Sequence, residues 1–128
     1  MNRLIKIFTG VFLFSLINSC SPAPQPKACT ELGCYSGLYI NLKGDRPMEF
    51  KIIIKSSGKE LATKECSTSK QCPDSILFQD LKEKSLTLEY TSNGQTRSEN
   101  FTVAYQTVRP NGTQCPPVCE QANVDFKL

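Results

Sequence analysis

Leu86-Thr87-Leu88-Glu89-Tyr90-Thr91-Ser92-Asn93-Gly94-Gln95-Thr96-Arg97-Ser98-Glu99-Asn100-Phe101 decides the fold. Leu86, Leu88 and Tyr90 alternate with Thr87, Glu89 and Thr91, the period of a strand with one buried face. Asn93-Gly94 then suits a type I′ hairpin, in which both central residues need φ > 0. A two-residue turn there sets Tyr90 opposite Arg97, Leu88 opposite Glu99 and Leu86 opposite Phe101. Two of those pairs put a charge on an apolar face. Either the strand end is exposed or a bulge shifts the register.

The same alternation recurs on both sides of the hairpin. Leu38, Ile40 and Leu42 form one apolar row, and Met48, Phe50, Ile52 and Ile54 form a second. Phe101, Val103 and Tyr105 make a third, and Val124, Phe126 and Leu128 a fourth. Weaker strands are expected from Glu60 to Cys66 and from Ser75 to Gln79. Gly44-Asp45-Arg46-Pro47, Ser57-Gly58-Lys59 and Pro110-Asn111-Gly112 mark turns between them. No segment carries a helical period. Seven short strands in about 100 residues predict an all-β, immunoglobulin- or fibronectin-like antiparallel sandwich of two sheets. The chain has no tryptophan, and its cysteines lack the long spacing of antibody domains. The likeness is therefore to the architecture alone.

Upstream of the strands the chain changes character. Arg3 and Lys6 are the only charges before Lys27, and an apolar run from Ile7 to Ile17 follows them. The run suits a signal-peptide core and falls short of the roughly 20 residues that span a bilayer. It ends in Leu16-Ile17-Asn18-Ser19-Cys20, which resembles the lipobox of bacterial lipoproteins; Ile17 and Ser19 fit, and Asn18 departs from the usual small apolar choice. The resemblance implies cleavage before Cys20, a diacylglyceryl group on its thiol and acylation of the new amine. The implied partner is the membrane, reached through that lipid. Two or three acyl chains anchor a protein stably where one does so only marginally. Ser21 follows, where an aspartate in such lipoproteins commonly signals inner-membrane retention, so outer-membrane sorting is expected.

The organisation expected is a cleaved signal over 1–19, a lipidated Pro-rich tether over 20–28 and one sandwich over 29–128. Ser21 to Ala28 holds three prolines and extends about 25 Å as polyproline II. Without Arg3 and Lys6 the chain carries thirteen cations against twelve anions. With no basic run, a nucleic-acid partner is not expected.

Seven cysteines make an odd count, which in an exported chain requires explanation. Lipidation of Cys20 removes one and leaves Cys29, Cys34, Cys66, Cys72, Cys115 and Cys119 for three disulfides. Cys66 and Cys72 flank a short polar loop and should pair. Local pairing of Cys29 with Cys34 and of Cys115 with Cys119 is the simplest choice for the rest. The crossed alternative ties the two ends of the domain together, and sequence does not select between them. A Cys₄ zinc site is disfavoured by the spacings and by the lack of histidine.

The absence of histidine also removes Ser-His-Asp, Cys-His and His-zinc catalysis. Glu49, Glu89 and Asp125 fall on expected solvent faces, which argues against paired-carboxylate sugar cleavage. No enzyme activity and no cofactor are expected. Asn100-Phe101-Thr102 and Asn111-Gly112-Thr113 match glycosylation sequons, read as chance in a bacterial lipoprotein. Pro110-Asn111-Gly112-Thr113-Gln114-Cys115-Pro116-Pro117-Val118-Cys119 resembles a motif of uncharacterised exported β domains stapled by cysteines; no activity comes with that likeness. The function expected is an envelope lipoprotein acting as a binding or structural module for a protein or other envelope component. The alternative is a small exported inhibitor of a hydrolase, plugging a cleft with Ser67 to Gln71 or Pro116 to Val118. Tyr35 and Tyr39, read as one strand, form the best interface candidate if they share a patch with Ile53.

Overall fold

The computed structural model describes residues 28–128. The expected signal peptide, the expected lipid site at Cys20 and the expected tether as far as Lys27 lie outside the described residues. Eight strands follow in order: β1 Gly37–Lys43, β2 Phe50–Ser56, β3 Lys59–Cys66, β4 Ser75–Gln79, β5 Ser85–Ser92, β6 Gln95–Thr102, β7 Gln106–Val108 and β8 Cys119–Lys127. They form two four-stranded sheets, β4-β1-β8-β7 and β3-β2-β5-β6. No helix occurs among the described residues.

The alternation explains why the sheets face each other. Leu38, Ile40, Leu42, Ile76, Phe78, Val124 and Phe126 of the first sheet meet Phe50, Ile52, Ile54, Leu86 and Leu88 of the second in one buried cluster. Burial of each such side chain contributes roughly 1.5–3 kcal/mol relative to exposure. The hairpin register is the unshifted one: Tyr90 faces Arg97, Leu88 faces Glu99 and Leu86 faces Phe101. Asn93 and Gly94 have φ of 51° and 73°, as the turn requires. No bulge absorbs the charges, because β6 is an exposed edge strand.

Four details differ from the sequence reading. Met48 stands outside β2 and is 77% exposed. The expected strand through Phe101, Val103 and Tyr105 is two strands, with Val103–Tyr105 crossing between the sheets. Val103 remains buried at the crossing, so the alternation runs on through a change of sheet that it cannot register. β8 begins at Cys119, five residues before its large apolar side chains. β1 and β8 run parallel, within sheets that are otherwise antiparallel. Alternation is the same in both directions, so sequence cannot distinguish them.

The strand directions give the sandwich two poles. Residues 29–36, 80–84, 103–105 and 109–118 gather where β1 and β8 begin. At the opposite pole lie residues 44–49, residues 67–74 and the Asn93-Gly94 turn. The seven residues of β1 separate the poles by about 23 Å.

Candidate functional site

The N-terminal pole is built by cross-linking. Cys29 pairs with Cys115 and Cys34 with Cys119, while Cys66 pairs with Cys72 at the other pole. The simplest local pairing of Cys29 with Cys34 and of Cys115 with Cys119 is therefore corrected to the crossed one. The reason is the parallel register: Gly37 lies beside Gln121, so Cys34, three residues before β1, and Cys119, the first residue of β8, are brought together.

Asn111 fastens the same two segments. Its Oδ1 accepts from the Thr30 hydroxyl at 2.6 Å and from the Leu32 N–H at 2.9 Å. Its Nδ2 donates to the carbonyls of Leu32 and Pro116 at 2.8 and 2.6 Å. The Pro-Asn-Gly motif is thus a clasp. The Asn111 sequon has its nitrogen engaged twice, so glycosylation there would break the clasp.

Other sequence candidates fall apart in space. Tyr35 precedes β1 rather than sharing it, and Tyr39 and Ile53 project from the outer faces of opposite sheets. They form no common patch. Glu49 is exposed; Glu89 is half-buried and accepts from Lys55 Nζ at 2.7 Å. Asp125 accepts from Asn41 Nδ2 at 2.9 Å.

Opposite the disulfide-linked pole, three recesses adjoin. The largest, about 560 Å³, lies among Arg46, Pro47, Tyr90, Gln95, Arg97 and Leu128. A second of about 300 Å³ shares Arg46 and Pro47 and reaches Met48, Cys66, Thr68 and Gln71. A third of about 480 Å³ shares Ser92 and Asn93 with the first, and Phe50 and Cys66 with the second. The loop Asp45-Arg46-Pro47-Met48 thus forms the wall between two of them. Arg46 is held by Asp74 at 3.1 Å.

Tyr90 forms the aromatic floor of the large cleft. Its ring stacks on Phe50 with centroids 5.5 Å apart and lies 5.6 Å from the ring of Phe126. The Arg97 guanidinium sits 4.5 Å above the Phe126 ring and donates to the Lys127 carbonyl. The Tyr90 hydroxyl is buried without a hydrogen bond of good geometry. Burial raises its pKa above the ordinary phenol value, against the Ser92 hydroxyl and the Arg97 and Arg46 charges, which pull it down. Alternation alone places Tyr90 inward; nothing in the sequence signals that its hydroxyl lacks a partner.

Chemically, the cleft offers two guanidinium groups and side-chain amides over an aromatic floor in which the Tyr90 hydroxyl is buried. Asp45 is the acidic side chain among its lining residues. These groups can orient a polar ligand or a partner loop by hydrogen bonds. In comparisons with known proteins, no family model and no curated protein matches this chain.

Proposed function

We propose that this chain is a lipid-anchored protein of the bacterial envelope whose sandwich is a non-enzymatic binding module. One observation carries the reading: the chain enters the domain at Cys29, at the pole opposite the three adjoining recesses, while the recess towards its own pole, beside Ser57 and Phe101, is smaller, about 220 Å³. A lipid on Cys20 would hold the N-terminal pole towards the membrane and turn the cleft away from it. The crossed disulfides and the Asn111 clasp then serve as a rigid mount, and loops on a rigid scaffold are where binding residues concentrate.

Two experiments test the two halves of this proposal. Palmitate labelling of the expressed protein is expected, and Cys20→Ala abolishes it; label persisting in that variant removes the anchor. A photo-cross-linking residue at Asn93, in the cleft pole, is expected to capture envelope partners in cells, whereas one at Thr113 is not. Capture from Thr113 alone would reverse the orientation. Outer-membrane fractionation is expected from Ser21.

The inhibitor reading has one feature in its favour. Ser67 to Gln71 is a loop closed by its own disulfide and displayed at the cleft pole. Pro116 to Val118 is stapled not by a bond between Cys115 and Cys119 but through Cys29 and Cys34, at the pole opposite the cleft. A panel of lysozymes and proteases, uninhibited at micromolar concentration, would end this reading for those enzymes.

A further inference from the structure

β8 has nine residues and its neighbour β7 has three, paired only with Cys119, Glu120 and Gln121. Along a strand the peptide groups turn alternately to either side. The N–H of Glu120 reaches Ser36 and that of Leu128 reaches the Lys43 carbonyl, so even-numbered groups face β1. Those of Asn123, Asp125 and Lys127 therefore face the side that β7 leaves open. Arg97 occupies the Lys127 carbonyl; among the described residues, no strand pairs with Asn123 or Asp125 on that side.

The second sheet shows the same gap from beneath. Gln95, Arg97 and Glu99 pair with Ser92, Tyr90 and Leu88, so they belong to the inner face, yet all three are exposed. The first sheet stops short of covering them.

We propose that the free edge of β8, Asn123 to Lys127, accepts an extended strand from a partner protein. That strand carries a carboxylate and a cation two residues apart on its inward face. Phe126 stacks over the row that holds Tyr90 and Arg97, so an incoming side chain beside Phe126 lies over Arg97. Val124 lies two residues before Phe126 on β8, as Leu88 lies two before Tyr90 on β5, so the step back from the Phe126–Tyr90 contact leads towards the row of Leu88 and Glu99. An acid over Arg97 and a base over Glu99 complement this floor. Main-chain bonds supply the affinity in strand addition and the alternate side chains supply the specificity. A second copy of this chain fits worse. Two-fold pairing centred on Asp125 sets two carboxylates directly opposite, which is destabilising.

The inference rests on the binding-module reading, and its test is separate from the cross-linking above. The full chain, purified in mild detergent, is used to select from a displayed library of random heptapeptides. Enriched peptides are expected to carry an acid and a base two residues apart. Asn123→Pro removes an edge N–H without touching the β1 ladder and should weaken binding by about tenfold or more. The double exchange Arg97→Glu with Glu99→Arg gives up the Arg97 contacts with the Lys127 carbonyl and the Phe126 ring, so a thermal melt first shows that it folds; it should then reverse the preferred order of the two charges. A library without binders, or binders indifferent to the charge exchange, overturns the proposal. Concentration-dependent dimerisation abolished by Asn123→Pro overturns it in favour of a second copy.

Discussion

The two poles of this sandwich are held by different means. At the N-terminal pole, disulfides join residues 86 and 85 apart in sequence, and one asparagine bonds both segments. At the cleft pole the single disulfide spans a separation of 6, and the surroundings are recesses. A cross-link stabilises mainly by the chain entropy it removes from the unfolded state, so the pole with long-range links carries the larger share. The lesson is a division of labour: one pole is fixed by long-range covalent links, and the opposite pole keeps open surface and an unsatisfied hydroxyl.

The largest expected effect tests that division directly. Replacing Cys29 and Cys115 by serine, together with Cys34 and Cys119, should cost about 4–5 kcal/mol or more in denaturant unfolding. Replacing Cys66 and Cys72 should cost about 2 kcal/mol. Equal losses would break the contrast between the poles. With all six cysteines paired, alkylation without reductant should label none of them, while reduction should lower the Tm by well over about 5 °C.

Gly37 gives the next effect. It opens β1 at the N-terminal pole with φ 143°, and a Cβ there would run into the Phe78 carbonyl oxygen. Gly37→Ala should cost about 2–3 kcal/mol, because the backbone is strained and the neighbour is main chain that cannot swing aside. At the cleft pole, Gly94 has open space around it and only its φ to satisfy. Gly94→Ala should therefore cost less, about 1 kcal/mol. Thermal melts that rank Gly94→Ala as the worse variant would refute the close-approach argument.

These glycines mark how far the sequence could be read. Alternation placed β1, β2 and β5, because each buries large apolar side chains on one face. Asn93-Gly94 located the β5–β6 hairpin but left its register open, because Gln95 to Asn100 contains no apolar residue to decide between an exposed strand end and a bulge. Cys66 with Cys72 was legible, since a short polar loop leaves little other choice. The parallel partnership of β1 and β8 was not, and the crossed disulfides depend on it. β7 was hidden because Gln106-Thr107-Val108 is too short to show a period. Asn111 stood out only as part of a motif; three of its four hydrogen bonds reach residues 79 and 81 positions away, beyond any local signal, and the fourth goes to Pro116. The free edge of β8 is likewise a property of what β7 does not cover.

Asn111→Ala should destabilise by about 1–2 kcal/mol. The Leu32 and Pro116 groups it releases lie near solvent and can bond to water, which keeps the cost below the sum of four bonds. Asn111→Asp keeps the two acceptances from Thr30 and Leu32 and loses both donations, so it should fall between wild type and alanine. Protease nicking within residues 29–36 should rise in the alanine variant. If nicking rises instead at residues 67–74, the clasp does not secure the N-terminal pole.

The smallest effect concerns two phenols, one at each pole. Tyr90 in the cleft and Tyr105 at the sheet crossing both bury a hydroxyl without a partner. Burial raises both pKa values; beside Tyr105 the Glu83 charge pushes the same way, while around Tyr90 the Ser92 hydroxyl and two arginines oppose it. A phenol whose folded pKa lies above its unfolded value leaves stability intact below about pH 10. Stability then falls as pH rises from there through the folded value, because only the unfolded chain ionises freely. Tyr90→Phe and Tyr105→Phe should each flatten part of that alkaline decline. At pH 7 each should be neutral or stabilising by up to about 1 kcal/mol, since an unpaired buried hydroxyl is removed with its shape retained. The poles separate on binding. Tyr90→Phe should weaken capture of partners through Asn93 only where the cleft opens far enough to expose the buried hydroxyl, whereas Tyr105→Phe should leave capture unchanged. If both variants bind equally well, the Tyr90 hydroxyl is only a packing defect, and the cleft must act through Arg46 and Arg97 instead.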